Sequence, residues 1–239
     1  MWDAEVLRDH KVEVLRAIRR NNDPVDTWAA RGQYDAGEVR GAAVAAYSAE
    51  PGIDTASTTE TFAAVRLHID NWRWQGVPFY LRSGKRMARR ASEIALTFRE
   101  PPTLGLPGES KVEPNQLVIR VQPNEGIHMR FQVKLPGVEL QLTPEIEVSP
   151  VDMDFSYAEA FGQGTHAAYS TLLLDCMLGD ATLFARTDEV EAAWRLCDPL
   201  LEYWESHRPP ALPTYAAGTW GPPESDAFLA RDGFRWRTP

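Results

Sequence analysis

The sequence predicts an α+β fold with a large, mostly antiparallel sheet and helices packed on one of its faces. Apolar and polar residues alternate in four segments of the 239-residue chain, as is typical of strands with one buried face, at positions 63–69, 94–98, 117–121 and 129–135. The connections between the last three segments are too short for crossover helices, so we expect antiparallel pairing. Helical periodicity returns in the last third of the chain, and helices that follow a sheet favour the α+β class.

The residues before the first strand predict a helix and then an irregular excursion. Asp3 is a favourable N-cap, and apolar residues recur at helical spacing over positions 7–18 before two arginines end the pattern. Residues 31–60 are mostly small, polar or glycine, which predicts a long, flexible excursion with a short helix around 42–47.

The last third of the chain predicts two helices followed by a tail. The helices are expected over 166–178 and 188–205, the second with Thr187 or Asp188 as its cap. Five prolines between positions 209 and 223 then predict a strap without regular structure that lies along the surface.

The composition is that of a folded protein without a membrane anchor. Hydrophobic residues make up 44% of the chain and aromatic residues 10%, which is enough for a packed core. We find no stretch of 18 apolar residues and no basic and then apolar leader, so the cytoplasm is the expected location. Cys176 and Cys197 lie in apolar helical runs, which predicts two reduced, buried thiols rather than a disulfide.

A run of cations interrupts this otherwise acidic chain. Five of the 25 lysine and arginine residues lie within positions 82–90, around Gly84 and Lys85, although the formal net charge is -9. Because the whole molecule repels anions at long range, the cluster indicates a small, compact anionic ligand. A solvated hairpin edge, whose cations prevent strand pairing, explains the run at least as well on spacing alone. Nucleic acid fits poorly, since the sequence has no second basic stripe and no aromatic ladder.

A second pair of polar residues has the chemistry to join such a site. Arg120 and Gln122 are two positions apart on a predicted strand, so they project from the same face. Lysine offers a point charge, arginine a planar fork, and glutamine both a donor and an acceptor. Together with Lys85 they form a set suited to a sugar phosphate.

Other kinds of site find no support in the sequence. The five histidines lack the close spacings of zinc ligands, and neither a Gly-x-Ser-x-Gly motif nor a cysteine with a plausible partner is present. The spacings of GxGxxG and P-loop motifs are absent too, so these residues predict no dinucleotide-binding fold. We interpret His68 as a surface residue, and Trp72 and Trp74 as aromatic core or subunit contacts.

Many short motifs occur along the chain in a characteristic order. They are Arg31-Gly32-Gln33-Tyr34, Ile69-Asp70-Asn71-Trp72-Arg73-Trp74, Gly76-Val77-Pro78-Phe79-Tyr80-Leu81-Arg82-Ser83-Gly84-Lys85-Arg86, Asn115-Gln116-Leu117-Val118-Ile119-Arg120-Val121-Gln122-Pro123-Asn124-Glu125-Gly126, Gly179-Asp180-Ala181-Thr182-Leu183-Phe184-Ala185-Arg186 and Ala217-Gly218-Thr219-Trp220-Gly221-Pro222. With these motifs the chain closely resembles the C-terminal part of glucose-6-phosphate dehydrogenase, almost from end to end.

The resemblance implies a domain spanning residues 1–239 that binds the substrate and forms a homo-oligomer, a dimer through its sheet. It implies oxidation of glucose 6-phosphate to 6-phosphogluconolactone with NADP in the oxidative pentose phosphate pathway. In this family NADP and the catalytic histidine belong mainly to an N-terminal dinucleotide-binding domain, which has no counterpart in these residues, so the chain alone is expected to be inactive. The alternative is a free-standing, non-catalytic module that dimerises with or regulates a complete dehydrogenase.

The resemblance also implies which residues bind the substrate. Lys85 matches the lysine of an Arg-x-Gly-Lys motif that contacts the sugar phosphate, and Arg90 matches a second basic contact. Gln122 matches the glutamine of an Arg-x-Gln-Pro motif. Arg82 and Arg120 match residues that hold a second, structural NADP in some animal members, and we interpret them here as supporting residues only. No catalytic, cofactor-binding or metal-binding residue is assigned within the chain.

Overall fold

The computed structural model describes residues 3–19, 21–100, 113–134, 148–162, 168–209 and 211–239. In chain order the regular elements are α1 (Ala4–Ala17), β1 (Ala29–Asp35), β2 (Gly37–Val39), β3 (Ala42–Val44), β4 (Phe62–His68), β5 (Pro78–Gly84), β6 (Ser92–Thr97), β7 (Gln116–Gln122), β8 (Gly126–Lys134), β9 (Val148–Ser156), α2 (Tyr157–Phe161), α3 (Ala168–Leu178), α4 (Thr187–Ser206), β10 (Thr214–Ala216) and α5 (Pro223–Ala230). They form two compact units, the first from residues 1–89 and 166–238 and the second from 90–165. The predicted α+β class with mostly antiparallel strands is confirmed.

The first unit is built on a four-stranded sheet in the order β10-β1-β4-β5. Strands β1, β4 and β5 pair antiparallel, whereas β10 pairs parallel with β1. Tyr34, Phe62, Tyr215 and Phe228 are buried in its core. The rings of Tyr34 and Phe62 meet the Tyr215 ring edge to face, with centroids 6.5 and 5.6 Å away, a geometry that adds to the stabilisation from burial. The C-terminal residues are therefore part of the core.

Helices α1 and α4 pack against each other in the first unit, and one arginine joins their N-terminal ends. The guanidinium of Arg186, just before α4, lies 2.7 Å from a carboxylate oxygen of Glu5, 2.6 Å from one of Asp9 and 2.8 Å from one of Asp188. Its hydrogen bonds are the main cause of the lowered pKa of both Glu5 and Asp188. This arginine therefore ties the first turn of α1 to the first turn of α4.

Replacing Arg186 by glutamine is expected to lower the thermal unfolding midpoint, because three carboxylates lose their shared partner. The folded-state pKa of Glu5 and of Asp188 lies below the ordinary value, so their contribution is fully present above the ordinary pKa and is lost as the pH falls through the lowered one. The loss in the variant should accordingly be larger at neutral pH than in acid. Arg195→Gln, which removes only an exposed pair with Glu191, is the control. Equal midpoints for the two variants at neutral pH would contradict the prediction.

The second unit is an antiparallel sheet in the order β6-β7-β8-β9, followed by α2. One face is polar and carries ion pairs of Arg120 with Asp154 at 3.3 Å and of Arg130 with Asp152 at 2.8 Å. The opposite face is apolar, and its large side chains are substantially exposed. We call it the apolar face, and it consists of Ile94, Ile119, Val121, Ile127, Met129, Val133, Val151, Met153 and Phe155.

The four strands predicted from alternation are all found, and among the described residues they belong to two sheets. Strand β4 pairs with β1 and β5, whereas β6 pairs with β7, β7 with β8 and β8 with β9. Alternation identifies the two faces of a strand and not its neighbours, so the sequence did not separate the two sheets. The chain leaves the first sheet after Gly84, where Arg86 has a left-handed φ of 50°.

The predicted irregular excursion over 31–60 is wrong in its first half, where β1, β2 and β3 form, whereas residues 50–60 have no helix or strand, as expected. Strand β1 lacks alternation because close neighbours exclude a side chain at Gly32, where a Cβ would lie 2.9 Å from Cγ of Pro222. The polar residues on either side of Gly32 bind main-chain carbonyls: Arg31 donates to that of Trp204 and Gln33 to that of Ser57. The short helix expected around 42–47 is displaced: Ala42–Val44 is a strand paired with Gly37–Val39, and a single 3-10 turn follows at Tyr47–Ala49.

The prediction of a tail without regular structure is wrong as well. Strand β10 follows Pro213 directly, and α5 begins at Pro223 with Pro222 as its N-cap. Proline is compatible with the start of a helix because the N–H groups of the first turn are unpaired in any case. It is compatible with the start of β10 because this strand lies at the edge of its sheet. The prolines mark the ends of these two elements and do not exclude them.

The predicted helices are confirmed with shifted ends. The carboxylate of Asp3 accepts two main-chain N–H groups at the start of α1, as expected, but α1 ends at Ala17. Helix α4 has Arg186 at its N-cap position, not Thr187 or Asp188. Residues 135, 166 and 167 of the predicted elements lie outside the described part of the chain. Across the described ranges, no helix combines the length and apolar character needed to cross a membrane.

The expectation of buried thiols is wrong. Cys176 on α3 and Cys197 on α4 are both exposed. The apolar residues of α3 are not confined to one side of the helix, so its sequence does not indicate which face is covered.

Candidate functional site

Lys85 lies directly after the end of β5, the last strand of the first sheet along the chain before the second unit begins. It follows Gly84, the last residue of β5, and its side chain is exposed. A Cβ on Gly84 would lie 2.8 Å from Sδ of Met87 and 2.9 Å from Cδ2 of Phe62, so only glycine permits this close approach. Arg86 then takes the left-handed φ of 50° that turns the chain. The turn therefore presents Lys85 at the end of the strand.

A concave surface of about 360 Å³ extends from Lys85 along β4 and β5. Its other lining residues are Tyr47, Thr59, Glu60, Thr61, Phe62, Ala63, Ser83 and Gly84. Within the described residues no carboxylate pairs with the Lys85 amine, whereas the guanidinium of Arg86 lies 3.3 Å from Glu50. The surface thus combines an ammonium group and several hydroxyl groups with the carboxylate of Glu60. The ammonium group suits the phosphate of a polyol phosphate ester, and the hydroxyl groups and the carboxylate suit its hydroxyl groups.

Arg90 and Gln122 lie at one end of the second sheet. Gln122 is the last residue of β7 and pairs with Ser92, the first residue of β6, while Arg90 precedes Ser92 by two positions. Both side chains are exposed. The structure therefore brings these two predicted site residues to the same end of one sheet. Lys85 belongs to the first unit.

The two arginines interpreted as supporting residues are engaged within their own units. The guanidinium of Arg82 lies over the rings of Trp220 and Trp236, 5.1 and 4.8 Å from their centroids, and donates to the carbonyl oxygen of Arg237 at 2.7 Å. Cation–π contacts of this kind hold the C-terminal residues against β5. Arg120 donates to the main-chain carbonyl of Phe155 at 3.2 Å and so joins β7 to β9.

The sequence analysis missed the contribution of the C-terminal segment 215–219 to this region. The N–H of Gly218 donates to the carbonyl of Arg86 at 2.7 Å, and the N–H of Ala88 donates to the carbonyl of Thr219 at 3.0 Å. Composition alone predicted only a strap in this part of the chain. The available signal was the motif that begins at Ala217, whose glycines allow the main chain to approach so closely.

The interpretations of His68 and the two tryptophans need revision in part. His68 is half-buried on β4, and burial lowers its pKa, an effect that the nearby cations Arg19 and Arg66 increase. Trp74 packs edge to face on Phe79 at a centroid distance of 5.3 Å, as expected of a structural residue. Trp72 is 87% exposed, so it belongs to no core in the first unit, and a subunit contact there stays a prediction.

The described residues do not fit a metal centre or a dinucleotide pocket. Among them no group of three His, Cys, Asp or Glu side chains lies close enough to hold a metal ion. Dinucleotide-binding folds use parallel βαβ units with a glycine-rich turn, and the only parallel strand pair in the described ranges joins β1 to the distant strand β10. A parallel βαβ unit is therefore not present in the described ranges.

A comparison with protein-family models matches residues 1–237 to the family described as glucose-6-phosphate dehydrogenase, C-terminal domain. The chain belongs to this family. The resemblance inferred from the ordered motifs is thereby confirmed.

Similar proteins in the glucose-6-phosphate dehydrogenase family are about twice as long. Glucose-6-phosphate 1-dehydrogenase 2 of Mycobacterium tuberculosis is 47% identical over 235 residues, which cover 98% of this chain and 44% of the relative. Glucose-6-phosphate 1-dehydrogenase of Rhizobium meliloti is 45% identical over 238 residues, covering 98% of this chain and 47% of the relative. The chain therefore spans less than half the length of these relatives.

Solved structures of the family superpose on the entire chain. A glucose-6-phosphate dehydrogenase in complex with its substrate glucose-6-phosphate aligns with a TM-score of 0.82 at 32% identity, covering 100% of this chain and 46% of that one. The crystal structure of glucose-6-phosphate 1-dehydrogenase from Mycobacterium avium aligns with a TM-score of 0.77 at 31% identity, with the same coverage of 100% and 46%.

Proposed function

We propose that this chain is the C-terminal, substrate-binding and dimerisation part of a glucose-6-phosphate dehydrogenase. The reaction is the oxidation of glucose 6-phosphate to 6-phosphogluconolactone with NADP, in the oxidative pentose phosphate pathway. The family match over residues 1–237 carries this proposal. The alternative of a free-standing, non-catalytic module gains no support from the comparisons. The cytoplasmic location expected from the sequence stays a prediction.

In this proposal the chain binds and orients the sugar phosphate, and it does not carry out the oxidation. The exposed amine of Lys85 binds the phosphate as a point charge, and Arg90 adds a second cation. The amide of Gln122 donates to and accepts from sugar hydroxyl groups. Binding energy realised this way is useful for catalysis because it fixes the position of the reacting sugar. Hydride transfer is chemistry that NADP supplies, bound mainly by an N-terminal dinucleotide-binding domain.

The test is NADP reduction by a joined enzyme, in which the N-terminal part of the Rhizobium meliloti relative precedes this chain at the homologous position. We expect NADPH formation with glucose 6-phosphate and none with glucose, because the phosphate is bound by cations of this chain. The chain alone should form no NADPH. A joined enzyme that is folded by circular dichroism and yet inert toward glucose 6-phosphate would contradict the proposal.

The apolar face is where we propose that two copies of the chain meet. Nine large apolar side chains of the second sheet lie side by side on this face, and a contiguous patch of that kind is unusual on a monomer. The opposite face carries ion pairs and has no comparable apolar patch among the described residues. A two-fold contact buries the same patch on both subunits, so each copy would cover the apolar face of the other.

Met153→Glu should therefore convert the dimer into monomers. Met153 is 58% exposed and its register partner is Met129, so the new carboxylate would be desolvated in the interface without disturbing the interior. The measurement is molar mass by sedimentation equilibrium. Gln132→Glu adds the same charge to the opposite face of the same sheet and should leave the dimer intact. A dimer that survives in Met153→Glu would place the contact elsewhere.

A further inference from the structure

We propose that the hydroxyl group of Tyr215 positions Lys85 for binding the sugar phosphate. This inference rests on the proposed role of Lys85 as a phosphate ligand. Tyr215 belongs to β10 and lies 130 residues from Lys85 in sequence, so no local pattern connects the two. Tyr215 itself does not touch the concave surface and acts only through Lys85.

The hydrogen bonds of Tyr215 assign its one proton. Its oxygen lies 2.7 Å from the carbonyl oxygen of Lys85, compared with 3.2 Å to Oγ1 and 3.3 Å to the carbonyl of Thr61. The two carbonyl oxygens can only accept, and that of Lys85 is the nearer, so the tyrosine hydroxyl donates its proton to Lys85. Thr61 Oγ1 then donates to the tyrosine oxygen, and it accepts in turn from the N–H of Tyr34 at 2.9 Å. A buried chain of three hydrogen bonds therefore ends on the main chain of Lys85.

Both main-chain groups of Lys85 are held in this way. Its N–H donates to the carbonyl of Thr61 at 2.8 Å, while its carbonyl accepts from Tyr215. The next residue, Arg86, has the left-handed φ of 50°, a conformation that non-glycine residues adopt only when their surroundings enforce it. Tyr215 therefore fixes the peptide plane between Lys85 and Arg86, and this plane sets the direction in which the Lys85 side chain leaves the strand.

The aromatic ring of Tyr215 has a separate, structural role. It is 4% exposed and packs edge to face against Phe62. Burial raises the pKa of Tyr215, so the hydroxyl keeps the proton that it donates at neutral pH. Phenylalanine preserves the ring packing and removes only the hydrogen bonds. Tyr215→Phe is therefore a specific test of positioning.

The experiment observes Lys85 directly in the 239-residue chain. The sequence has only four lysines, Lys11, Lys85, Lys111 and Lys134, so reductive methylation with ¹³C-formaldehyde gives few side-chain NMR signals, and Lys85→Arg identifies the one from Lys85. Titration with glucose 6-phosphate should shift the Lys85 signal in a saturable manner. In Tyr215→Phe the dissociation constant from the same signal should rise about fivefold, as expected for one lost hydrogen bond.

The control is Tyr80→Phe, which removes the hydroxyl of another tyrosine from the same sheet. That hydroxyl bonds to Asp232 and not to the Lys85 turn, so the dissociation constant should stay unchanged. If the unsubstituted chain responds and Tyr215→Phe binds equally well, or if both variants weaken binding equally, the positioning role is wrong. If the Lys85 signal of the unsubstituted chain does not respond, the proposed function of Lys85 fails and this inference fails with it.

Discussion

Replacing Lys85 by glutamine is expected to raise the KM of the joined enzyme for glucose 6-phosphate by about 10- to 100-fold. A charge-assisted hydrogen bond contributes about 1.5 to 3 kcal/mol, and the glutamine amide cannot replace the ammonium as a phosphate ligand. Because the phosphate is remote from the reacting C1 hydroxyl group, kcat should change much less than KM. The measurement is steady-state NADPH formation as a function of glucose 6-phosphate, with NADP held at saturation.

Lys11→Gln is the matched control for Lys85→Gln. It removes the same charge from the same chain, but Lys11 lies on α1, 3.7 Å from Glu189, and does not line the concave surface. Its KM should equal that of the unsubstituted enzyme. If KM rises equally in both variants, the effect comes from the overall charge of the chain. If KM is unchanged in Lys85→Gln, Lys85 does not bind the substrate. The lysine in this position would then be only a solvated residue at a sheet edge.

Gly218→Ala is expected to destabilise the first unit by about 3 kcal/mol. Gly218 has a left-handed φ of 90°, and a Cβ there would lie 1.9 Å from the carbonyl oxygen of Glu38. Main-chain atoms cannot turn away as a flexible side chain can, so the segment must move. That movement also breaks the hydrogen bond from Gly218 to Arg86, so the variant should lose affinity for glucose 6-phosphate as well. Urea unfolding and the lysine titration measure the two effects.

Gly233→Ala separates backbone strain from the clash at Gly218. Gly233 has a similar φ of 80°, but a Cβ there would meet nothing within 4 Å. Its destabilisation should be limited to the left-handed conformation, about 1 kcal/mol, and glucose 6-phosphate binding should be unaffected. Similar losses of stability in the two variants would show that the close approach of Gly218 to Glu38 is unimportant.

The strands were predictable where one face of the sheet is apolar along its whole length. Strands β6, β7 and β8 meet this condition, and so does β4. Strand β1 does not, because Gly32 faces Pro222 and the chain supplies the apolar contact from 190 positions away. Which strands are neighbours, and the fact that β10 belongs to the first sheet, likewise depend on contacts between residues distant in sequence. Local periodicity carries no information about such contacts.

The candidate site was predictable only through the family motifs. On spacing alone the basic run fitted a solvated edge as well as an anion site, and only the family motif around Lys85 favours the anion site. Arg90 and Gln122 followed from the same comparison, and the structure places them at one end of the second sheet. The contact of Tyr215 with Lys85 was not predictable, because a tyrosine among small residues and prolines has no distinctive spacing and its partner is known only from the folded chain.

The turn that carries Lys85 is completed by residues that a ribosome synthesises about 130 positions after it. Every charged residue proposed to bind the sugar phosphate precedes position 123, yet the main chain on which Lys85 stands is held by residues 215–219. A nascent chain that stops short of β10, or a mature one cleaved before it, keeps all of those charges but lacks the partners that fix the lysine. A chain without β10 is therefore expected to bind the sugar phosphate more weakly, although it retains every charge proposed to bind it.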